Sequence, residues 1–147
     1  MTVSAPTPLR IMIIEDNNDH ARILKWAFEQ TNHSTNLTFF RDADAALGRL
    51  QGDGPSSAGA PDLIFLDYNL PRVSGGEVLA QLKANKHSKD VPVIVLSSSE
   101  REEDVRHAYE LGASTYISKG VILNELRNSL QAVLDYWSKI AKLPRRS

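Results

Sequence analysis

The sequence predicts an α/β fold: a doubly wound, five-stranded parallel sheet with helices on both faces. Five short apolar runs are each followed by an amphipathic helical pattern, and this alternation is typical of a parallel sheet covered by its crossover helices. The chain has 147 residues, 41% of them hydrophobic. A single domain of about 150 residues buries roughly 68–70% of its unfolded surface. We therefore expect one domain with a complete core.

The strands are predicted from runs rich in apolar and β-branched residues. A strand that is covered on both faces loses the alternation of polar and apolar side chains, so it is expected to read as a nearly continuous apolar segment. The five predicted strands are IMII at 11–14, LTFF at 37–40, LIFL at 63–66, VIVL at 93–96 and TYI at 115–117.

Helices are predicted between these runs from apolar residues at helical spacing. In the first helix the predicted buried residues are Ile23, Leu24, Ala27 and Phe28. The segments 74–77 and 99–102 each begin with Ser and end with Glu, which is the spacing of a capping box and predicts two helix starts. The stretch 51–61 is rich in Gly, Pro, Ser and Ala and predicts a flexible surface insertion.

Composition excludes several classes of function. With 17 basic and 18 acidic residues the chain has no net positive charge that would attract nucleic acid or an acidic membrane surface, so neither is an expected partner. The absence of cysteine excludes disulfides, thiolate nucleophiles and sulfur-ligated metals. The start MTVSAPTP lacks the basic and apolar regions of a signal peptide, and no apolar run exceeds strand length. We expect a cytoplasmic protein that acts through a local site.

Polar side chains follow four of the five predicted strands. Glu15 and Asp16 come after the first strand, Asp67 after the third, Ser97 after the fourth and Lys119 after the fifth. Each taken alone is explained by helix capping or by solvation. Ligands of open parallel sheets bind outside the carboxyl ends of the strands. The convergence of these polar side chains at that edge therefore favours one shared site.

The residue types in this set suit phosphoryl transfer to a carboxylate. Carboxylates without cysteine or paired histidine favour a hard cation such as Mg²⁺. Aspartate is an established acceptor in aspartyl-phosphate chemistry, and the charge of the transferring group requires metal, lysine and hydroxyl donors around it. In the stretch DLIFLDYNLP a buried strand holds Asp67 in place, Asn69 can offer its main-chain carbonyl to the metal, and Pro71 stiffens the loop.

Four motifs make the chain resemble the receiver domain of two-component response regulators. These are IIED at 13–16, LDYNLP at 66–71, VLSSS at 95–99 and YISK at 116–119. The resemblance implies the flavodoxin-like receiver fold over residues 9–141, and we expect residues 1–8 to be a disordered N-terminal tail and 142–147 a C-terminal tail. The insertion before strand three and the ending LDYWSKIAKLP are similar to single-domain regulators that serve phytochrome-type histidine kinases.

The resemblance implies a role for each site residue. The implied metal ligands for Mg²⁺ are Glu15, Asp16, Asp67 and Asn69; Asp67 is also the phosphoacceptor, Ser97 contacts the phosphoryl group, Lys119 pairs with it, and Tyr116 is the aromatic switch. By the same resemblance the chain is not an enzyme beyond catalysing its own phosphorylation and dephosphorylation. Its implied partners are a sensor histidine kinase, with a bacteriophytochrome as one candidate, and a downstream protein that the sequence does not specify. His20 is expected to be a solvent-facing helix residue.

Three departures from the family pattern and two alternatives remain. Gly120 follows the lysine where proline is usual, Ser74 replaces an acidic residue, and Ser97 replaces threonine. A haloacid-dehalogenase-type phosphatase also uses an aspartate after a strand. Such an enzyme has a second acidic residue two positions further on, where this chain has Asn69. A degenerate receiver that acts as a phosphorylation-independent interaction module is the other alternative, and the complete acidic, hydroxyl and lysine set argues against it.

The last prediction from sequence is a homodimer. Few residues follow the final helix, so we expect no output domain, and such a regulator must act by changing what it binds. Tyr109, Tyr136 and Ile140 are predicted to form a dimer face on helix four, strand five and helix five. The alternative is that Tyr136 and Ile140 complete the core.

Overall fold

The computed structural model describes residues 8–52, 61–119 and 123–144, in which strands and helices alternate. Most of the predicted insertion at 51–61 lies outside the described residues, and Gly120 lies outside them as well. The elements are β1 (Leu9–Ile14), α1 (Asn18–Gln30), β2 (Thr35–Phe40), α2 (Ala43–Gly52), β3 (Leu63–Asp67), α3 (Gly75–Ala84), β4 (Val93–Ser97), α4 (Glu102–Glu110), β5 (Thr115–Ser118) and α5 (Leu123–Asp135), followed by a π-helical turn (Tyr136–Ile140).

The five strands form one parallel sheet in the order β2-β1-β3-β4-β5. The chain adds β2 on one side of β1 and all later strands on the other, so the order reverses between β1 and β3. In the register of the sheet Ile14 lies beside Leu66, and Ser97 lies beside Ser118. The strands therefore end close to one another along one edge, with the reversal point near the middle of that edge.

Two apolar layers enclose the sheet. Strand residues such as Ile64 point into the layer made with α2, α3 and α4, where Leu79 is fully buried. Alternate residues point into the layer made with α1 and α5, where the rings of Phe65 and Phe28 pack edge to face with centroids 5.1 Å apart. All residues of β3 and β4 are buried because these strands are covered on both faces, which confirms the predicted α/β architecture.

Of the two capping boxes predicted from sequence, one marks a helix start correctly and the other does not. Ser74 caps α3, with its Oγ accepting a hydrogen bond of 3.2 Å from the amide of Glu77. The predicted capping box at 99–102 is wrong. α4 begins at Glu102, and Arg101 occupies the N-cap without a side-chain hydrogen bond. The Ser99 hydroxyl is engaged elsewhere, since it donates to the Asp104 carboxylate at 2.5 Å.

The buried face of α1 is narrower than the sequence pattern indicates. Leu24, Ala27 and Phe28 are buried as predicted, whereas Ile23 is 36% exposed. Successive residues are turned by about 100° around a helix, so Ile23 lies at the edge of the stripe that faces the sheet. None of the helices in the described part of the chain is long and apolar enough to span a membrane.

Candidate functional site

Three carboxylates converge where the strand order reverses. Glu15 and Asp16 follow β1, Asp67 ends β3, and each offers an oxygen within 4.8 Å of those of the other two. Main-chain amides fix two of them: Asn69 donates to Asp67 Oδ1 at 2.9 Å, and Asn17 donates to Glu15 Oε2 at 3.2 Å. Glu15 and Asp67 are buried, while Asp16 is half-buried. The structure thus brings together the acidic residues that the sequence predicts.

Lys119 lies beside this cluster, directly after β5. Its Nζ atom is 2.6 Å from Glu15 Oε1 and 3.6 Å from Asp67 Oδ2. The main-chain amide of Lys119 donates to the Ser97 carbonyl at 2.5 Å, which continues the pairing of β5 with β4 and sets where the side chain leaves the sheet. One ammonium is therefore shared between two buried carboxylates.

The charges of this cluster are unbalanced. Burial, and after it the neighbouring Asp67, raise the pKa of Glu15 from 4.5 to about 7 against the opposing effect of Lys119. Three carboxylates around a single ammonium retain negative charge when ionised, and a divalent cation would offset it. A set of oxygen donors is also what Mg²⁺ and Mn²⁺ prefer, so the residues present fit such an ion.

Ser97 and Asn69 connect the ends of β3 and β4. The Ser97 hydroxyl, which is fully buried, donates to Asn69 Oδ1 at 3.1 Å. The main-chain amide of Ser98 donates to the same oxygen at 3.0 Å. The sequence predicted a role for the main-chain carbonyl of Asn69, and the structure adds a second role, in which its side chain ties the two loops together beside Asp67.

Tyr116 links the β4–α4 loop to β5 and α4. Its hydroxyl donates to the Ser99 carbonyl at 2.8 Å, and its main-chain amide donates to the hydroxyl of Tyr109 at 3.1 Å. Its ring packs edge-on against Tyr68 with centroids 6.4 Å apart. The half-buried side chain therefore contacts the loop that follows Ser97, where the resemblance implied a switch.

Tyr68, next to Asp67, is fitted closely against the start of α3. A Cβ atom at Gly75 would lie 2.4 Å from the Tyr68 carbonyl oxygen and 2.6 Å from its ring, so only glycine is accommodated there. The Tyr68 hydroxyl is the one buried side-chain polar atom without a hydrogen-bond partner in the described part of the chain. No pattern in the sequence indicated this arrangement.

His20 is the site residue that the sequence prediction missed. Its Nδ1 atom lies 2.9 Å from Lys119 Nζ and 3.8 Å from Glu15 Oε1, although 47% of the side chain remains exposed. Asn17 caps α1 by accepting a hydrogen bond from the His20 amide at 3.0 Å, which places His20 in the first turn, directly above the acidic cluster. A helix start immediately after Asp16 was the available signal, because it places the first turn of α1 beside the site.

The residues predicted for a dimer face are exposed. Tyr109 on α4 is 47% exposed, and Tyr136 and Ile140 in the π-helical turn are 48% and 72% exposed. Neither Tyr136 nor Ile140 completes the core, although the ring of Tyr136 packs edge to face against Trp137.

Comparison with known proteins identifies the class. Residues 11–131 match the model of the response regulator receiver domain. The match covers most of the chain, which therefore belongs to the response regulator receiver domain family. The resemblance stated from sequence is confirmed, and the phosphatase alternative is wrong.

Similar proteins include regulators linked to phytochromes. Response regulator Rcp1 of Synechocystis sp. (strain ATCC 27184 / PCC 6803 / Kazusa) is 34% identical over 98% of this chain and 99% of its own length. The structure of the phosphorylated cyanobacterial phytochrome response regulator RcpA, also 34% identical, matches with a TM-score of 0.82 over 95% of this chain and all of that one. The bacteriophytochrome response regulator AtBRR, 29% identical, matches with a TM-score of 0.69 over 93% of this chain and all of its own. Rcp1 has also been solved with Mn²⁺ bound.

Proposed function

We propose that this chain accepts a phosphoryl group on Asp67 from a sensor histidine kinase, in a reaction that depends on Mg²⁺. Phosphorylation then changes the surface formed by α4, β5 and α5, and the chain signals by what that surface binds. As a receiver, it acts on its own aspartate rather than on a separate substrate.

The convergence of carboxylates, hydroxyl and ammonium at the strand ends carries this proposal. Asp67 is anchored by a fully buried strand, and the Asn69 amide fixes its Oδ1 atom. Its Oδ2 atom lies 3.6 Å from the Lys119 ammonium, a distance too long for a hydrogen bond, so Lys119 does not block this oxygen from attack. The ammonium is still close enough to attract an incoming phosphoryl group.

Glu15, Asp16, Asp67 and the main-chain carbonyl of Asn69 would hold the metal ion. A bound Mg²⁺ would supply positive charge to the phosphoryl oxygens. The Mn²⁺-bound Rcp1 structure supports a divalent-cation site in a similar chain.

The proposed transfer step forms one bond and breaks one. Asp67 Oδ2 attacks the phosphorus atom of a phosphohistidine on the donor, an O–P bond forms, and the P–N bond breaks. The donor imidazole leaves with the electron pair of the P–N bond and takes up a proton from solvent. Lys119 stabilises the charge on the phosphoryl oxygens, and the Ser97 hydroxyl turns from Asn69 towards them.

Tyr116 connects this step to the surface. A Ser97 hydroxyl that leaves Asn69 Oδ1 releases one of the contacts that tie the β4–α4 loop to β3. The Tyr116 hydroxyl holds the same loop through the Ser99 carbonyl, so a change in the loop reaches β5 and, through Tyr109, α4. This contact chain supports a switch in which Ser97 and Tyr116 move together.

We further propose that the kinase partner is a bacteriophytochrome and that the chain forms a homodimer through Tyr109, Tyr136 and Ile140. The similar chains RcpA and AtBRR are a cyanobacterial phytochrome response regulator and a bacteriophytochrome response regulator, which supports this kinase partner. Exposed aromatic and aliphatic side chains on α4 and the π-helical turn support the interface.

Intact mass tests phosphoryl acceptance. The wild-type chain, incubated with acetyl phosphate and Mg²⁺, is expected to gain the mass of one phosphoryl group, and the gain should be absent with EDTA. Asp67→Asn is expected to abolish it, because an amide cannot act as the nucleophile. An Asp67→Asn protein that is phosphorylated as fully as the wild type would show that another residue is the acceptor. A wild-type chain that never gains mass would support the degenerate-receiver alternative.

Sedimentation tests the dimer. The wild type is expected to be dimeric at micromolar concentration when phosphorylated, and the double variant Tyr136→Glu, Ile140→Glu is expected to be monomeric. Trp26→Glu is the matched control, since Trp26 is a 41% exposed aromatic residue on α1 and lies outside the proposed face. A wild type that stays monomeric with and without phosphorylation, or a control that also dissociates, would contradict the assigned interface.

A further inference from the structure

The imidazole of His20 contacts the ammonium of Lys119 in a way that fixes its chemical form. A lysine ammonium can only donate hydrogen bonds, and His20 Nδ1 lies 2.9 Å from Lys119 Nζ. Nδ1 therefore accepts, and the ring is neutral with its proton on Nε2. The contact joins the first turn of α1 to the end of β5 across the phosphoacceptor site.

We propose that His20 is a positioning residue, which holds the Lys119 ammonium beside Asp67 without neutralising its charge. This inference rests on the proposed phosphoryl acceptance by Asp67 and adds to it a determinant of the transfer rate.

Two partners in different directions restrain Lys119. Its side chain is a flexible four-carbon stem ending in a compact charge, so a single contact leaves the charge free to move. Glu15 Oε1 at 2.6 Å and His20 Nδ1 at 2.9 Å use two of the three N–H donors. The third donor remains available, and Asp67 Oδ2 lies at 3.6 Å. The ammonium is thus held within reach of a group on Asp67 while it is not bonded to Asp67.

The neutrality of the imidazole matters because the ammonium already has two carboxylates around it. A third carboxylate at position 20 would weaken the attraction of Lys119 for the negative charge of the transferring phosphoryl group. An imidazole nitrogen supplies a hydrogen-bond acceptor and adds no negative charge. His20 also lies 3.8 Å from Glu15 Oε1, so an acidic residue there would face Glu15 as well as Lys119.

Four variants separate the effect of the shape of residue 20 on the phosphorylation rate from the effect of its charge. Asparagine places its Oδ1 where histidine has Nδ1 and is neutral, and aspartate has the same shape with a negative charge. His20→Ala removes the contact. His107→Ala is the matched control, because His107 is an exposed histidine on α4. All four proteins are compared with the wild type in phosphorylation by phosphoramidate, a small donor that removes kinase recognition from the measurement.

We expect the substitutions at position 20 to change the maximal rate constant of phosphorylation rather than the affinity for the donor. His20→Ala is expected to lower the maximal rate constant about three- to tenfold, the effect of losing one charge-assisted hydrogen bond at a partly exposed site, with KM for phosphoramidate unchanged. His20→Asn should stay within about twofold of wild type. His20→Asp should be at least as slow as His20→Ala, and His107→Ala should match the wild type.

A second measurement needs no phosphorylation. Long-range ¹H–¹⁵N correlation spectra of the metal-free protein at about pH 8, where an ordinary imidazole is neutral, report which ring nitrogen carries the proton. The wild type is expected to show the Nε2–H form at His20, and Lys119→Ala is expected to allow both forms. Mg²⁺ affinity by calorimetry should change by less than about twofold in His20→Ala and His20→Asn, since neither variant removes a carboxylate.

Several outcomes would overturn the inference. These are an unchanged maximal rate in His20→Ala, an asparagine variant as slow as alanine, an aspartate variant as fast as wild type, and an Nδ1–H ring in the wild type. A wild-type protein that phosphoramidate does not label at all would overturn the proposed function instead. The tautomer spectra then decide the positioning role alone: a tautomer that does not respond to Lys119→Ala would overturn it.

Discussion

Replacing Glu15 with glutamine is expected to stabilise the metal-free protein at alkaline pH. Burial and Asp67 raise the pKa of this carboxyl from 4.5 to about 7, so between those values the folded protein binds a proton that the unfolded chain releases. The free energy of unfolding therefore falls as pH rises, by about 1.4 kcal/mol per pH unit. Over the interval from 4.5 to about 7, which is about 2.5 units, the loss is about 3 kcal/mol. Glutamine keeps the shape of the side chain and removes this loss.

Urea unfolding in EDTA, followed by tryptophan fluorescence at about pH 5, 6, 7 and 8, measures the effect. We expect the variant to exceed the wild type by about 2–3 kcal/mol at pH 8, with the two converging at about pH 5. Glu29→Gln, at an exposed position on α1, is the control and should follow the wild type at every pH. The difference between variant and wild type isolates Glu15 from the other titrating groups. A constant difference across this range, or a variant that is less stable at pH 8, would show that the raised pKa of Glu15 does not govern the stability difference.

Three further predictions concern stability. Tyr68→Phe removes a buried hydroxyl that has no partner and should raise the free energy of unfolding by about 1 kcal/mol; a loss would mean that the hydroxyl is bonded. Gly75→Ala should cost at least about 1–3 kcal/mol in urea unfolding because its Cβ would overlap Tyr68, whereas Gly48→Ala, in open space within α2, should be neutral or stabilising; equal effects would contradict the close fit. Asp135→Asn should destabilise the protein at neutral pH. The His33 contact at 2.7 Å holds the pKa of Asp135 below 3.8, so its stabilisation is present above that value and is lost as pH falls through the lowered pKa; an acid-unfolding curve that matches the wild type would contradict this.

The central strands β1, β3 and β4 were predictable because they are buried on both faces and read as apolar runs. The edge strands β2 and β5 are only partly buried. The predicted and observed strands differ at their ends. β1 begins at Leu9 rather than at residue 11, since Leu9 and Arg10 pair with Thr35 and Asn36 along the sheet. Apolar patterning carries no information about such pairs. The π-helical turn was not predicted either, because its hydrogen bond from the Ala141 amide to the Tyr136 carbonyl has no sequence signature of its own.

The candidate site was predictable to the extent that strand ends define it. Residues that directly follow strands must meet at one edge of a parallel sheet, so Glu15, Asp67 and Lys119 could be placed together without coordinates. The orientation of α1 about its own axis decides whether His20 points towards Lys119. The Tyr68 arrangement depends on how closely α3 approaches β3. Both depend on packing in three dimensions, which periodicity alone does not determine.

Locating the phosphoryl group on the chain decides whether Asp67 is the acceptor. The wild-type chain is phosphorylated with acetyl phosphate and Mg²⁺, the acyl phosphate is reduced with borohydride, and the modified residue is located by peptide mass spectrometry. We predict that Asp67 alone is converted, and that EDTA prevents the conversion. Conversion at Asp16 or at any other carboxylate, with Asp67 unmodified, would contradict the account.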